Sequence, residues 1–413
     1  MRQLGRGLFA GLGRLLLVNP GLDLSQVNRE ESMTMHRLTL PIAGLFSLFS
    51  AAAVAANTLK VGAVFGLSGA QSTFGEESIN GMEMALDDLK AKDPALAARI
   101  SVVKEDEKSN PIDAANAVKK VLNVDKVDLV FGSVASSNTL AMVAAVIEAG
   151  KVLVTPASTN PEVTKKGDAV FRTCFIDPFQ GSVLADFAVH RLHKKKAAIL
   201  LDHKSDYSKG LAEAFTIAFK AAGGEVVANE SYEAGKKDFK TQLTKIRAKH
   251  PEVLLVPGYY QEVGLIMKQA QQMGFKIAML GGDGWDSPTL YGLAGADAVK
   301  GHYFSTHFAP DDKDPRVQKF VKDYTSRFHI APGAMSASSY DGILVVADAF
   351  KRAGSNDPAA LKRALSATKN FVGVSGTLSI NTQRDAVKPA VILKTEGDKA
   401  VFEAKIEPAV ATK

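Results

Sequence analysis

The sequence predicts an α/β fold: two Rossmann-like doubly wound units in tandem, with a ligand cleft between them. Three observations carry this. Short valine- and leucine-rich runs alternate with amphipathic stretches from residue 59 onward, the series restarts near residue 195, and polar or glycine-rich segments follow the ends of several apolar runs. Continuous apolar strands separated by helices imply parallel sheets covered on both faces. Such sheets bind ligands outside the carboxyl ends of their strands. With 413 residues, 46% hydrophobic and 23% charged, the chain has the length and balance for two globular units.

The N-terminal 56 residues stand apart. Residues 33–56, "MTMHRLTLPIAGLFSLFSAAAVAA", have a short basic start, an apolar core at 38–49, and a small-residue tail with an A-x-A pattern at Ala53-Val54-Ala55. A core of that length is too short to span a bilayer comfortably and suits a signal peptide. Residues 1–32 fit no part of that unit, so translation is expected to begin at Met33 or Met35 and the mature chain at Ala56 or Asn57. No cysteine follows the apolar core, which excludes a lipid anchor at that point. The expected product is soluble, exported and periplasmic.

The elements of the first unit read in order. Strands are expected at 59–66, 100–106, 127–132 and 151–156. Between them lie "SINGMEMALDDL", with Ile79, Met82, Leu86 and Leu89 on one face, then "NPIDAANAVKKVL" and "SSNTLAMVAAVIEAG". In the second unit, strands are expected at 195–203, 224–232, 252–258 and 276–282. Its helices are "GLAEAFTIAFKAAG", "DFKTQLTKIRAKH" and "QEVGLIMKQAQQMG". The passage from one unit to the other is expected near Asp177-Pro178.

Composition excludes several chemistries. The formal charge is +6, of which the 1–56 leader carries +2, and "HKKKAA" at 193–198 is the only tight basic run. That run reads as a solvated helix end, and no nucleic-acid partner is expected. Cys174 is the only cysteine, which rules out an intrachain disulfide and a cysteine zinc site; it reads as a small buried hydrophobe. "GLSGAQSTFG" has the wrong spacing for a dinucleotide loop, and no Walker lysine or G-x-S-x-G elbow occurs. His190 and His193 read as surface residues. Glu105, Asp106 and Glu107 read as a solvated strand-to-helix loop rather than a glycosidase pair.

The candidate binding residues lie at strand ends. Ser136, Ser137, Asn138 and Thr139 open a helix, either as a cap or as a carboxylate site built from hydroxyls and free NH groups. "TPASTNPEVT" offers Ala157 and Thr159, as a ligand loop or as a proline-rich turn. Tyr207, Tyr259 and Tyr260 follow second-unit strands and serve either as pocket walls or as packing. In "GGDGWDS", Asp283 and Asp286 stand among glycines at a strand exit, as a cation acceptor or as turn formers.

Taken together, "LKVGAVFGLSGAQSTFGEESINGMEMALDDL", "GSVASSNT", "TPASTNPEVT", "DYSKGLAEAF", "AGKKDFKTQL", "PGYYQEV" and "GGDGWDSP" occur in an order that resembles the periplasmic branched-chain amino-acid binding proteins of ABC transporters. The resemblance runs from about Leu59 to the C-terminal region. It implies two lobes, 57–177 plus 308–388 and 178–307 plus 389–413, joined by a three-crossover hinge near Asp177, residues 305–308 and Lys388. It implies that Ser136 and Thr159, with Ser137 and Ala157 beside them, hold a ligand carboxylate and head group. Tyr207, Tyr259 and Asp283 would meet the ammonium and side chain from the second lobe, and Phe74 would form a side wall. The chain departs from the family pattern in three ways: Ser109 and Ala135 replace the disulfide of the best-known members, Asp283 is one methylene shorter than the frequent glutamate, and Trp285 is unusual.

The expected function is therefore capture of an amino acid for an ABC-type membrane permease, by a monomer without cofactor, metal or enzymatic activity. The rivals are a binder of a non-amino-acid acid, amide or short peptide, and a secreted α/β hydrolase. A carboxylic acid without an ammonium leaves Asp283 unpaired. A hydrolase needs a nucleophile, base and orienting acid that no motif supplies. A repressor-type regulator needs a DNA-binding helix pair where the leader stands.

Overall fold

The computed structural model describes residues 58–408. The signal-peptide reading, the start sites and the mature N-terminus fall outside these residues. Five strands form a first, fully parallel sheet: β1 (Leu59–Phe65), β2 (Ile100–Asp106), β3 (Leu129–Gly132), β4 (Val152–Thr155) and β5 (Val170–Arg172), in the order β2-β1-β3-β4-β5. β3, β4 and β5 are buried throughout, as expected of strands with helices on both faces.

The second sheet repeats the order. Its strands β6 (Lys196–Asp202), β7 (Glu225–Tyr232), β8 (Val253–Leu255), β9 (Ala278–Gly281) and β10 (Tyr303–Thr306) run β7-β6-β8-β9-β10, all parallel. A small antiparallel sheet, β11 (Phe371–Gly373), β12 (Gly376–Ile380) and β13 (Ala386–Val387), intervenes in sequence. The antiparallel strands β14 (Ala390–Glu396) and β15 (Lys399–Ile406) then extend the second sheet beyond β10. The chain thus passes between the two large sheets after β5, leaves the second after β10, and returns to it at β14. β5, β10, β14 and β15 go beyond the four strands per unit read from sequence.

Both sheets share one strand order, with its reversal beside β1 in the first and β6 in the second. In open α/β sheets that reversal marks the crevice where ligands sit. The long helix Ala334–Ala353 packs on Ser72–Lys92 at the flank of the first sheet. Their backbones meet at Gly81, where a Cβ would stand 2.0 Å from the Ser336 carbonyl oxygen. A helix-weakening glycine is tolerated there because nothing larger fits. Among the described residues no helix is long and apolar enough to cross a membrane.

His190 is exposed, 3.8 Å from Asp186, and His193 is also exposed. The solvated reading of residues 105–107 is corrected at Glu107, which is only 1% exposed. Ser133 Oγ (2.5 Å) and Asn138 Nδ2 (2.8 Å) both donate to it. Asp106 instead accepts from the backbone of Leu67 and Ser68 and from the Ser68 hydroxyl, holding the loop after β1.

Candidate functional site

The exits of β3 and β4 build one half of the site. Ser136 opens the helix Ser136–Glu148, and Ala135 at its cap supplies no side-chain acceptor. The first-turn NH groups of a helix have no carbonyl behind them and carry its positive end. Ser136 is buried and its Oγ accepts from the Asn160 backbone at 3.2 Å, tying the two strand exits together. Beneath them Glu107, through Ser133 and Asn138, supports the turn into the helix. Burial pushes Glu107 up to about 7, against the pull of those two hydrogen bonds.

The "TPASTNP" loop is an arginine-clamped structure. Arg172 of β5, fully buried, donates to the carbonyls of Ser158 (2.6 Å) and Asn160 (2.8 Å), and its Nε lies 2.7 Å from the Asp385 carboxylate. The Thr155 hydroxyl donates to the Ser133 carbonyl at 2.7 Å, and the Ser158 hydroxyl reaches the Ser133 and Val134 carbonyls. Ala157 and Thr159 are both buried within this framework. The Thr159 carbonyl accepts from the Asp177 backbone at 2.9 Å, where the chain leaves the first sheet.

The second sheet contributes the other half. Tyr207 and Tyr259, from the exits of β6 and β8, stack with ring centroids 5.2 Å apart. Phe74 meets Tyr259 edge-on at 6.3 Å and Tyr260 at 4.9 Å, so side chains from both sheets touch. The Gly284 NH donates to the Tyr207 hydroxyl at 3.2 Å. Burial first, then the Asp283 charge, raises both tyrosines well above their ordinary range and keeps them as neutral phenols.

Asp283 begins a short turn, Asp283–Trp285, directly after β9. The glycines around it make room for large neighbours: a Cβ on Gly281 would stand 2.0 Å from the Trp285 indole. Trp285 is a fully buried strut, its Nε1 donating to the Val256 carbonyl at 2.9 Å. Asp286 accepts from the Thr306 hydroxyl at 2.7 Å, and its carboxyl is pushed up to about 6, mainly by burial. Asp283 is 4% exposed; Gln180 Nε2 donates to its Oδ1 at 2.9 Å, and His307 Nε2 lies 3.5 Å from its Oδ2. Among the described residues no lysine or arginine pairs with it.

The sequence-derived residues therefore converge. Ser136, Ala157, Thr159 and Phe74 lie on the first-sheet side, with Tyr207, Tyr259 and Asp283 on the second. The Ser137 hydroxyl is engaged otherwise: it donates to Asp206 Oδ2 (3.1 Å) and accepts from the Asp206 NH (2.9 Å), joining the two sides. The Asn160 side-chain amide adds a bond to the Asp206 carbonyl at 2.7 Å.

Sequence reasoning treats Asp177 only as a crossover, places Glu107 in a solvated loop, and overlooks Arg172, Gln180 and His307. Asp177 is fully buried, and among the described residues neither its carboxylate oxygens nor the Thr159 hydroxyl has a partner with hydrogen-bond geometry. Burial pushes Asp177 up to about 8 and the Asp283 charge adds to this, with the nearby Thr159 hydroxyl and Arg172 opposing. The "D-P" step after "RTCF" is the one signal that could have found it, as a carboxylate at a helix start facing the second sheet.

A pair of doubly wound sheets whose strand-end loops bring together a positive helix end on one side and a buried carboxylate on the other has the form of a small-molecule-binding protein. Comparison with known proteins gives the particular family. The periplasmic binding protein family model matches residues 58–399, and the chain belongs to that family, whose members are solute-binding proteins and not enzymes. An amino acid binding protein of Pseudomonas aeruginosa is 33% identical over 296 residues, spanning 71% of this chain and 78% of that protein. The leucine-binding protein LivK of Thermotoga maritima superposes with a TM-score of 0.81 at 36% identity, covering 85% of this chain and 99% of its own. The branched-chain amino acid transporter substrate-binding protein LivJ of Streptococcus pneumoniae, solved with isoleucine, gives 0.79 at 32%, covering 85% and 100%.

Proposed function

We propose that this protein captures an amino acid of the branched-chain or a related type and delivers it to an ABC-type membrane permease. The observation that carries the reading is the buried Asp283 carboxylate, without a lysine or arginine partner among the described residues and close enough to Asp177, a neighbour of Thr159 on the first-sheet side, for their charges to interact. An α-amino acid matches that arrangement with its two charges. Its carboxylate takes Ser136, the helix NH groups and Thr159, and its ammonium takes Asp283, with Asp177 close by. Tyr207, Tyr259 and Phe74 wall the side chain. The ligand then bridges the two sides and favours the closed form through its differential affinity for it. The relatives that bind leucine and isoleucine support this assignment.

The two sheets support a division into lobes of 57–177 plus 308–388 and 178–307 plus 389–413; the protein is proposed to act as a monomer. Export through the 33–56 signal peptide supplies the compartment that the family implies. A thermal-shift screen of the common L-amino acids against simple carboxylic acids tests the function. Saturation a hundred-fold above Kd stabilises the folded state by about 2.7 kcal/mol, so a branched-chain amino acid is expected to raise Tm by several degrees. A panel in which carboxylic acids stabilise and no amino acid does would overturn the reading.

A further inference from the structure

Asp283 stands in a turn among glycines, where its own backbone does little to fix the carboxylate plane. Gln180 does so from outside the turn, and His307 stands beside the same carboxylate. Gln180, on the helix Asp177–Asp186, donates to Oδ1 at 2.9 Å, and His307, immediately after β10, brings Nε2 to 3.5 Å from Oδ2. The His307 ring is 1% exposed and lies against Phe175, with ring centroids 3.9 Å apart. Phe175 precedes the first passage between the sheets and His307 begins the second, so Asp283 is held where the two connections meet.

The charge state of that imidazole matters. Burial lowers its proton affinity and Lys388, itself buried near the third passage, lowers it further, while Asp283 opposes both. A neutral ring carries no net charge and can present one N–H to Asp283; here Nε2 stands 3.5 Å from Oδ2 without hydrogen-bond geometry, and neither ring nitrogen has another partner among the described residues, so nothing competes for that N–H. The carboxylate is oriented without being neutralised. A lysine or arginine in the same place would form a permanent ion pair and compete with an incoming cation. A leucine would have no N–H to present to Oδ2.

Resting on the amino-acid reading above, we propose that His307 is a positioning residue that orients Asp283 and thereby sets the preference for ligands bearing an ammonium over the same acids lacking it. Ligand groups that bind tightly need their own partners held in place, and a donor one atom further out is the usual means.

The test is calorimetry of the full mature chain with two probes, L-leucine and 4-methylpentanoate, which differ only in the α-amino group. Wild type is expected to prefer L-leucine. His307→Leu should reduce that preference at least ten-fold, through weaker L-leucine binding, with 4-methylpentanoate bound as well or better. His307→Gln keeps an N–H donor and should hold the preference within about three-fold of wild type, as expected for an amide N–H replacing an imidazole N–H. If His307→Leu fails to fold, His307→Asn, whose shorter amide falls short of Asp283, takes its place in the comparison with His307→Gln. An unchanged preference in the Leu or Asn variant, or equal losses with Gln, overturns the role of His307 and leaves the amino-acid reading standing. A wild type with no preference for L-leucine over 4-methylpentanoate overturns both.

Discussion

Replacing Asp283 by asparagine isolates charge from shape. The amide oxygen can still accept from Gln180 Nε2, so the 2.9 Å bond and the turn Asp283–Trp285 are retained while the negative charge is lost. At 4% exposure, with no lysine or arginine partner among the described residues, Asp283 has little solvent to screen it from a bound ammonium. Removing one member of a desolvated charge pair costs about 2–5 kcal/mol, and each 1.4 kcal/mol is about a ten-fold change in Kd. Asp283→Asn should therefore weaken L-leucine binding by about thirty-fold to several thousand-fold. The deaminated probe 4-methylpentanoate should bind the variant more tightly than wild type, because a buried unpaired charge has been removed. Asp286→Ala is the control: its carboxylate serves the Thr306 hydroxyl, so affinity should change far less. Calorimetry on the two variants, after circular dichroism confirms folding, decides the matter. If Asp283→Asn binds L-leucine within three-fold of wild type, the carboxylate does not receive the ammonium and the head-group assignment fails.

Other outcomes follow from the same geometry. Glu107, raised from 4.5 to about 7, holds its proton in the folded state after the unfolded chain has lost it, so it lowers stability as pH rises from 4.5 to about 7. Glu107→Gln should remove about 3 kcal/mol of that decline, read as a smaller difference between urea midpoints at pH 4.5 and pH 8; equal differences in the two proteins would refute the burial argument. Gly81→Ala gains helix propensity of about 1 kcal/mol but forces a Cβ toward the Ser336 carbonyl, 2.0 Å away in the present geometry. Overpacking of this kind costs about 1–3 kcal/mol, so a lower Tm is expected, and an unchanged or higher one would show that the two helices separate freely. Small-angle scattering should show a smaller radius of gyration with saturating L-leucine than without it, and superimposable profiles would count against lobe closure.

Much of this was legible because strand exits in a doubly wound sheet carry recognisable chemistry. "VDLVFG" and "KVLVTP" end in buried parallel strands, and the hydroxyl-rich residues after them line one locus. The edge strands were harder. β14 and β15 pair antiparallel far from their sheet in sequence, and the β15 pattern is half exposed, which resembles a loop as much as a strand. Buried charges were harder still. Nothing local separates Glu107 from Asp106, yet one is enclosed by Ser133 and Asn138 while the other holds an exposed loop. Arg172 and His307 likewise gain their roles from partners 213 and 24 residues away, Asp385 and Asp283, which only the folded chain brings together.

The bonds between Ser137, Asn160 and Asp206 join the two sides without involving a ligand. Each such bond contributes about 0.5–1.5 kcal/mol net, toward the low end here because the Asp206 side chain is 38% exposed and also pairs with Lys209. Under the proposed lobe closure, they would raise the resting population of the ligand-ready conformation. Apparent Kd is the intrinsic value divided by that population, so substitution of Asp206, which the proposed head-group contacts do not include, would shift apparent affinity without changing the preference among ligands. On the proposed delivery role the same population would carry a transport cost, since an empty protein that resembles a loaded one would compete for the permease. Selection on Asp206 would then be selection on the ligand concentration at which the cleft closes.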